Sequence, residues 1–70
     1  MKLHYDPATD SLYIELNPAP SVESDEIRDG VVLDYDDKKN LVGIDLQHAS
    51  EHFDLNNIEI NTLMGLKKSA

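Results

Sequence analysis

The sequence predicts a small, mostly β fold of the α+β class, with one antiparallel sheet of four to five strands and one short helix. Polar and apolar residues alternate over short stretches, turn-forming residues separate these stretches, and the alternation stops near residue 48. Such alternation between turns is typical of half-buried strands. The 70 residues are expected to form a single domain, 1–70. A core this small favours association of two copies.

The first predicted element is a β-hairpin over residues 2–16. Its two arms alternate, and Asp6-Pro7 begins the segment between them. Asp followed by Pro favours a type I turn, because Pro fixes φ and Asp hydrogen-bonds the local backbone. The apolar positions of both arms are assigned to the core: Leu3, Tyr5, Leu12, Ile14 and Leu16.

A break and a charged segment follow the first hairpin. Pro18 and Pro20 remove backbone donors and disfavour a continuing strand. The segment 22–28 is rich in charge, and the sequence leaves it as either an exposed edge strand or a loop. As an edge strand, its charges would oppose pairing with other chains.

A second hairpin is predicted over residues 29–47. Asp29-Gly30 is a strong turn signal, a β-rich run follows, and a polar turn at 37–40 separates that run from the next one. The inward positions are expected to be Val31, Leu33, Val42, Ile44 and Leu46.

The predicted helix covers about residues 48–54 and is expected to pack on the apolar face of the sheet. Ala49 and Phe53 form its i, i+4 apolar pair, and Phe53 is assigned to the core. The segment 55–70 is ambiguous. Alternation at Ile58 and Ile60 indicates a strand, whereas Ile60, Leu63 and Met64 have helical spacing. The β-branched residues favour the strand.

The charge of the chain limits its partners. The net charge is −8, from 14 acidic and 6 basic side chains. Nucleic acids and anionic membrane surfaces are bound mainly through Lys and Arg, so neither is an expected partner. An acidic surface suits a small basic protein. The candidate partner-binding residues are Glu23, Asp25, Glu26, Asp29, Asp34, Asp36 and Asp37.

Catalytic chemistry is not expected, and neither is a cofactor. The chain lacks cysteine and has no glycine-rich phosphate loop. His48 and His52 would lie one helical turn apart and are remote candidates for a metal ion. A zinc protease would need a third ligand and a substrate cleft.

With no apolar run of roughly 20 residues and no apolar stretch at the N-terminus, we expect a cytoplasmic protein.

An ordered set of short motifs resembles a small prokaryotic family, domain of unknown function family 2283. The match runs over roughly residues 3 to 50, and the turn at 38–40 lacks the glycine expected there. The resemblance implies a compact β-rich domain without an established activity, and an antitoxin role, because members look like companions of small toxin-like proteins. The motifs are Asp10-Ser11-Leu12-Tyr13-Ile14, Asp29-Gly30-Val31-Val32, Asp34-Tyr35-Asp36, Gly43-Ile44-Asp45-Leu46 and Ala49-Ser50.

Three functional hypotheses follow from these observations. The first is a protein-binding module, an antitoxin-like partner of a small basic toxin. The alternative is a freestanding structural or ligand-sensing homodimer. The remote alternative is a metal-binding protein that uses His48 and His52.

Overall fold

The computed structural model describes residues 1–61, which form five strands and one short helix. The strands form a single antiparallel sheet in the order β1-β2-β5-β4-β3. The predicted mostly β fold of the α+β class is confirmed, and the charged segment after the two prolines is an edge strand. The bounds are β1 Lys2–Asp6, β2 Ser11–Glu15, β3 Glu23–Arg28, β4 Val31–Tyr35, β5 Leu41–Leu46 and α1 Ala49–His52.

A hairpin and a three-stranded meander build the sheet. Strands β3, β4 and β5 form a meander, and the β1–β2 hairpin joins it because β2 pairs with β5. The chain therefore crosses from β2 to the far edge through residues 16–22, which contain Pro18 and Pro20. This topology leaves β1 and β3 as the two edge strands.

The turns are closed by local side chains. Asp36 Oδ1 accepts hydrogen bonds from the backbone N–H groups of Lys38 (2.9 Å) and Asn40 (2.8 Å). These bonds, that of the Asn40 backbone first, lower the pKa of the Asp36 carboxyl. Gly30 closes the β3–β4 turn with a φ of 83°, a conformation that glycine adopts without steric penalty.

One face of the sheet is apolar. Residues that lie opposite each other in antiparallel strands share a face, and side chains alternate along each strand. The pairs Leu3–Ile14, Leu12–Leu46 and Leu33–Ile44 therefore lie on the same side. We call this side the apolar face; its members are Leu3, Tyr5, Leu12, Ile14, Val31, Leu33, Tyr35, Val42, Ile44 and Leu46.

The buried core is smaller than the sequence predicts. In the described part of the chain, the buried apolar residues are Leu12, Val42 and Ala49. Three predicted core residues are exposed, which corrects the prediction: Leu3 at 44%, Tyr5 at 46% and Phe53 at 40%. Leu3 and Tyr5 lie on an edge strand with little to cover them, and Phe53 lies just beyond the helix. The other predicted core residues are half-buried: Ile14, Leu16, Val31, Leu33, Ile44 and Leu46.

The helix is shorter than predicted and differently placed. It has four residues, Ala49–His52, because His48 takes a left-handed φ of 53° and Phe53 is extended. The Ala49 N–H donates to the Asp10 carbonyl oxygen at 2.8 Å. The helix is thus attached to the β1–β2 turn, and Ser50 lies beside Tyr5 and Leu12 at one corner of the apolar face.

The segment after the helix has no regular structure as far as residue 61. The favoured strand at Ile58 and Ile60 is therefore wrong for this part of the chain. Leu63 and Met64, which completed the alternative helical spacing, lie outside the described residues.

A side-chain contact crosses the opposite, polar face of the sheet. Tyr13 on β2 lies over Gly43 on β5, and its hydroxyl donates to Asp34 Oδ2 on β4 at 2.9 Å. Ser24 on β3 donates to Asp34 Oδ1 at 2.7 Å. Burial, followed by the Asp34 hydrogen bond, raises the pKa of Tyr13 to about 12. These contacts therefore connect four strands: β2, β5, β4 and β3.

Gly43 is the residue that permits this crossing. A Cβ at position 43 would overlap the Tyr13 hydroxyl and Cζ atoms. The Gly43→Ala variant must either accept this overlap or displace the ring and lose the bond to Asp34. We expect a loss of about 1–3 kcal/mol in the free energy of unfolding, measured by urea denaturation.

A double-mutant cycle provides the control for this prediction. Tyr13→Leu removes the atoms that a Cβ at position 43 would meet. Adding Gly43→Ala to Tyr13→Leu should therefore cost much less than adding it to the natural chain. Strictly additive losses would show that the ring does not explain the glycine.

Candidate functional site

The candidate site is the apolar face of the sheet. Stable domains pack at least two layers of secondary structure around a core, yet within residues 1–61 no second sheet or long helix covers this face. Val42 on β5 is buried, but Val31, Leu33, Tyr35, Ile44 and Leu46 remain half-buried. A large accessible apolar surface on a folded chain marks a surface for association.

One corner of the apolar face is partly covered. The chain after the helix passes beside Tyr5 and Leu12 and forms a groove of about 540 Å³ that Phe53 and Ile58 also line. This segment explains why Leu12 is only 7% exposed although its neighbours on the face are more accessible. The rest of the face extends beyond this cover toward β3.

Acidic side chains border the apolar face along β3. Asp25 lies opposite Leu33 and Glu23 lies opposite Tyr35, so both carboxylates share the side of the apolar residues. Glu23 Oε1 is 3.4 Å from Lys39 Nζ, and both side chains are well exposed. An exposed pair of this kind contributes little stability, so both groups remain available to a partner. We call Glu23 and Asp25 the acidic rim.

The other candidate acids do not join this rim. Glu26 and Asp34 belong to the polar face by register. Glu26 accepts a hydrogen bond from the Gly30 N–H (3.2 Å), and the two oxygens of Asp34 accept from Tyr13 and Ser24. Asp36 is engaged within its own turn. Asp29 and Asp37 are exposed in the turns at opposite ends of β4.

The two histidines do not lie on consecutive turns of a helix. His48 precedes the helix in a left-handed conformation, and His52 is the last helical residue. Among residues 1–61 there is no group of three or more His, Cys, Asp or Glu side chains placed to hold a metal ion. The spacing that suggested the metal candidate depended on a helix that begins earlier than the observed one.

Asp10 connects the β1–β2 turn to the helix, a role that the sequence reasoning missed. Its Oδ1 accepts a hydrogen bond from the Tyr5 hydroxyl at 2.7 Å, and its Oδ2 accepts one from Ser50 Oγ at 2.8 Å. The Ser50 N–H also donates to this carboxylate, at 3.1 Å. The hydrogen bond from Tyr5, and then that from Ser50, lowers the pKa of Asp10. Both Asp10 and Ala49-Ser50 stand in the motifs, but 40 residues of sequence separate them.

Comparison with known proteins identifies the family. A family model described as a protein of unknown function, DUF2283, matches residues 2–50. The chain belongs to this family. Searches of the curated proteins and of the solved structures gave no match. The matched region contains all five strands and the Asp10–Ser50 contact, so it coincides with the parts of the chain that make the fold.

Within residues 1–61, no helix is both long enough and apolar enough to cross a bilayer.

The hydrogen bonds that Asp10 accepts determine how its carboxyl group titrates. Because the native state holds the Asp10 pKa below its ordinary value, this carboxylate stabilises the fold above about pH 4, where the unfolded chain is also ionised. That contribution disappears as the pH falls through the lower native pKa. In carboxyl-detected NMR, Tyr5→Phe and Ser50→Ala should each raise the Asp10 pKa toward its ordinary value.

Asp36 supplies an internal control for this titration. Its pKa is lowered by bonds within another turn, so the two substitutions should leave it unchanged. An Asp10 pKa that stays the same in both variants would contradict the assigned hydrogen bonds.

Proposed function

We propose that this chain is a protein-binding module, an antitoxin-like partner of a small basic toxin, which binds through the apolar face and the acidic rim. The observation that supports the proposal is the apolar face itself, which lacks a second layer within residues 1–61. A partner protein that packs on this face would supply that layer.

The free energies of burial and association indicate that apolar burial alone is not enough for tight binding. The four strands that carry the apolar face, spaced by about 4.8 Å and each about 17 Å long, give roughly 330 Å² in projection. At about 25 cal/mol per Å², covering this area contributes about 8 kcal/mol. Association itself costs about 4–15 kcal/mol. Affinity and specificity must therefore come from polar contacts around the apolar area as well.

The acidic rim defines the chemistry of the partner. Asp25 and Glu23 lie beside the apolar residues of β4, so a matching protein presents an apolar patch bordered by Lys or Arg. The net charge of −8 would speed the encounter with such a protein at low salt. Glu26, Asp34 and Asp36 accept internal hydrogen bonds. The proposed partner-binding residues are therefore Glu23 and Asp25 of the rim and the exposed turn residues Asp29 and Asp37.

The antitoxin-like role rests on the family resemblance together with this surface. A module of this kind would inhibit a basic toxin by occluding its cationic active surface. The apolar face would anchor the complex, and the rim carboxylates would pair with the toxin's cations, which makes the association rate sensitive to salt.

The test compares two charge reversals of equal size. Asp25→Lys changes the rim, whereas Glu51→Lys changes the exposed helix. Each immobilised variant, and the natural chain, is incubated with lysate of the native cell at low and at high salt. We expect the natural chain and Glu51→Lys to retain the same basic protein, and its recovery to fall at least tenfold with Asp25→Lys or with high salt.

Two results would contradict the proposal. Equal recovery with both variants would show that the rim takes no part in binding. Retention of nothing except further copies of the chain would favour the freestanding homodimer as the functional form.

A further inference from the structure

We propose that the outer edge of β1 is a self-association site, at which the β1 strands of two copies pair antiparallel about His4 and join two sheets into one of ten strands. This inference does not depend on the proposed function, because it concerns a strand edge and leaves the apolar face uncovered.

The outer edge of β1 is open to another strand. All five residues, Lys2–Asp6, are exposed, and within residues 1–61 β1 pairs only with β2. Alternate backbone N–H and C=O groups therefore point away from the sheet. Such an edge is a template for pairing unless the chain blocks it.

The other edge of the sheet is blocked. Strand β3 has a register shift between Glu26 and Arg28, which makes Ile27 an extra, bulged residue. A bulge bends an edge strand and interrupts regular pairing. Antiparallel pairing of two β3 strands about their midpoint would also place Asp25 opposite Glu26. Strand β1 has an unbroken register with β2 and no such protection.

The sequence of β1 is complementary to itself. In antiparallel pairing about His4, Lys2 lies opposite Asp6 of the second copy, and Leu3 lies opposite its Tyr5. Two-fold symmetry repeats both pairs, so one interface gains two ion pairs and two apolar pairs. Opposite charges and apolar–aromatic pairs across strands each contribute about 0.2–1 kcal/mol.

In this arrangement the apolar faces of the two sheets lie on the same side. Leu3 and Tyr5 belong to the apolar face, and directly opposite residues share a face. Their exposed fractions of 44% and 46% would fall as each meets its counterpart in the second copy. Lys2 and Asp6 meet on the polar side, where Asp6 uses one carboxylate oxygen for the Ala8 N–H. The other oxygen is available for the lysine.

A charge-reversal mixture tests this register. Lys2→Glu places Glu opposite Asp6, and Asp6→Lys places Lys opposite Lys2, so each variant alone should be a monomer of 7.9 kDa by light scattering. In a 1:1 mixture every opposed pair is complementary, and the mass should double. Lys39→Glu, a reversal at the opposite side of the sheet, should leave the dimer of the natural chain intact.

Two single-cysteine variants test the same register without changing the β1–β2 turn. The chain has no cysteine, so His4→Cys introduces a single thiol that faces its own copy across the two-fold axis. Under mild oxidation it should form a covalent dimer at least tenfold faster than Lys2→Cys, whose two thiols would lie about 13 Å apart.

The outcomes separate this proposal from other dimers and from the proposed function. A natural chain that is monomeric at high micromolar concentration would overturn it. So would a dimer that survives both charge reversals, or equal oxidation of the two cysteine variants, since these indicate a face-to-face contact. Retention of a basic partner by the monomeric Lys2→Glu variant would preserve the proposed function whatever the state of this edge.

Discussion

A single β-sheet buries its apolar side chains only when a second layer packs against them. In this chain Ile14, Leu33 and Ile44 lie on one face of a five-stranded sheet and remain half-buried, while the helix is fastened at the β1–β2 turn. The need for a second layer therefore links the fold to the proposed function. It also explains why a chain with well-defined strands buries so few apolar residues.

The polar side of the molecule compensates in part for the small core. The Tyr13–Asp34–Ser24 network spans β2 to β3 across Gly43, and the Asp10 carboxylate holds the helix to the first turn. Hydrogen bonds that a carboxylate accepts are stronger than those between neutral groups, and they are weaker where the groups are exposed to water. Side chains in the motifs thus hold the strands in register without a thick apolar interior. The residues of the family motifs belong to this framework. The motifs therefore predict the fold and do not indicate a chemical activity.

Local patterns predicted the strands well because strand formation follows alternation and turn chemistry. The turns at Asp6-Pro7 and Asp29-Gly30 and the alternation of Leu12 and Ile14 depend on nearby residues alone. The exposure of Leu3 and Tyr5 depends on what covers an edge strand, which alternation does not encode. The Asp10–Ser50 contact joins distant positions, and alternation does not encode the left-handed conformation of His48, which precedes the shortened helix. The acidic rim could be identified only from the β3–β4 register, because the sequence alone does not show which acidic residues lie on which face of the sheet.

The most direct test of the central claim is to measure the solvent accessibility of methyl groups in the full chain by NMR with a soluble paramagnetic probe. Ile14, Leu33 and Ile44 are half-buried members of the apolar face, and its two buried members, Val42 and Leu12, are the references. We expect strong relaxation of the first three and weak relaxation of the references, with the chain free of any partner. Methyl groups of Leu33 and Ile44 as protected as that of Val42 would show that the face is already covered, and the proposed binding surface would be wrong.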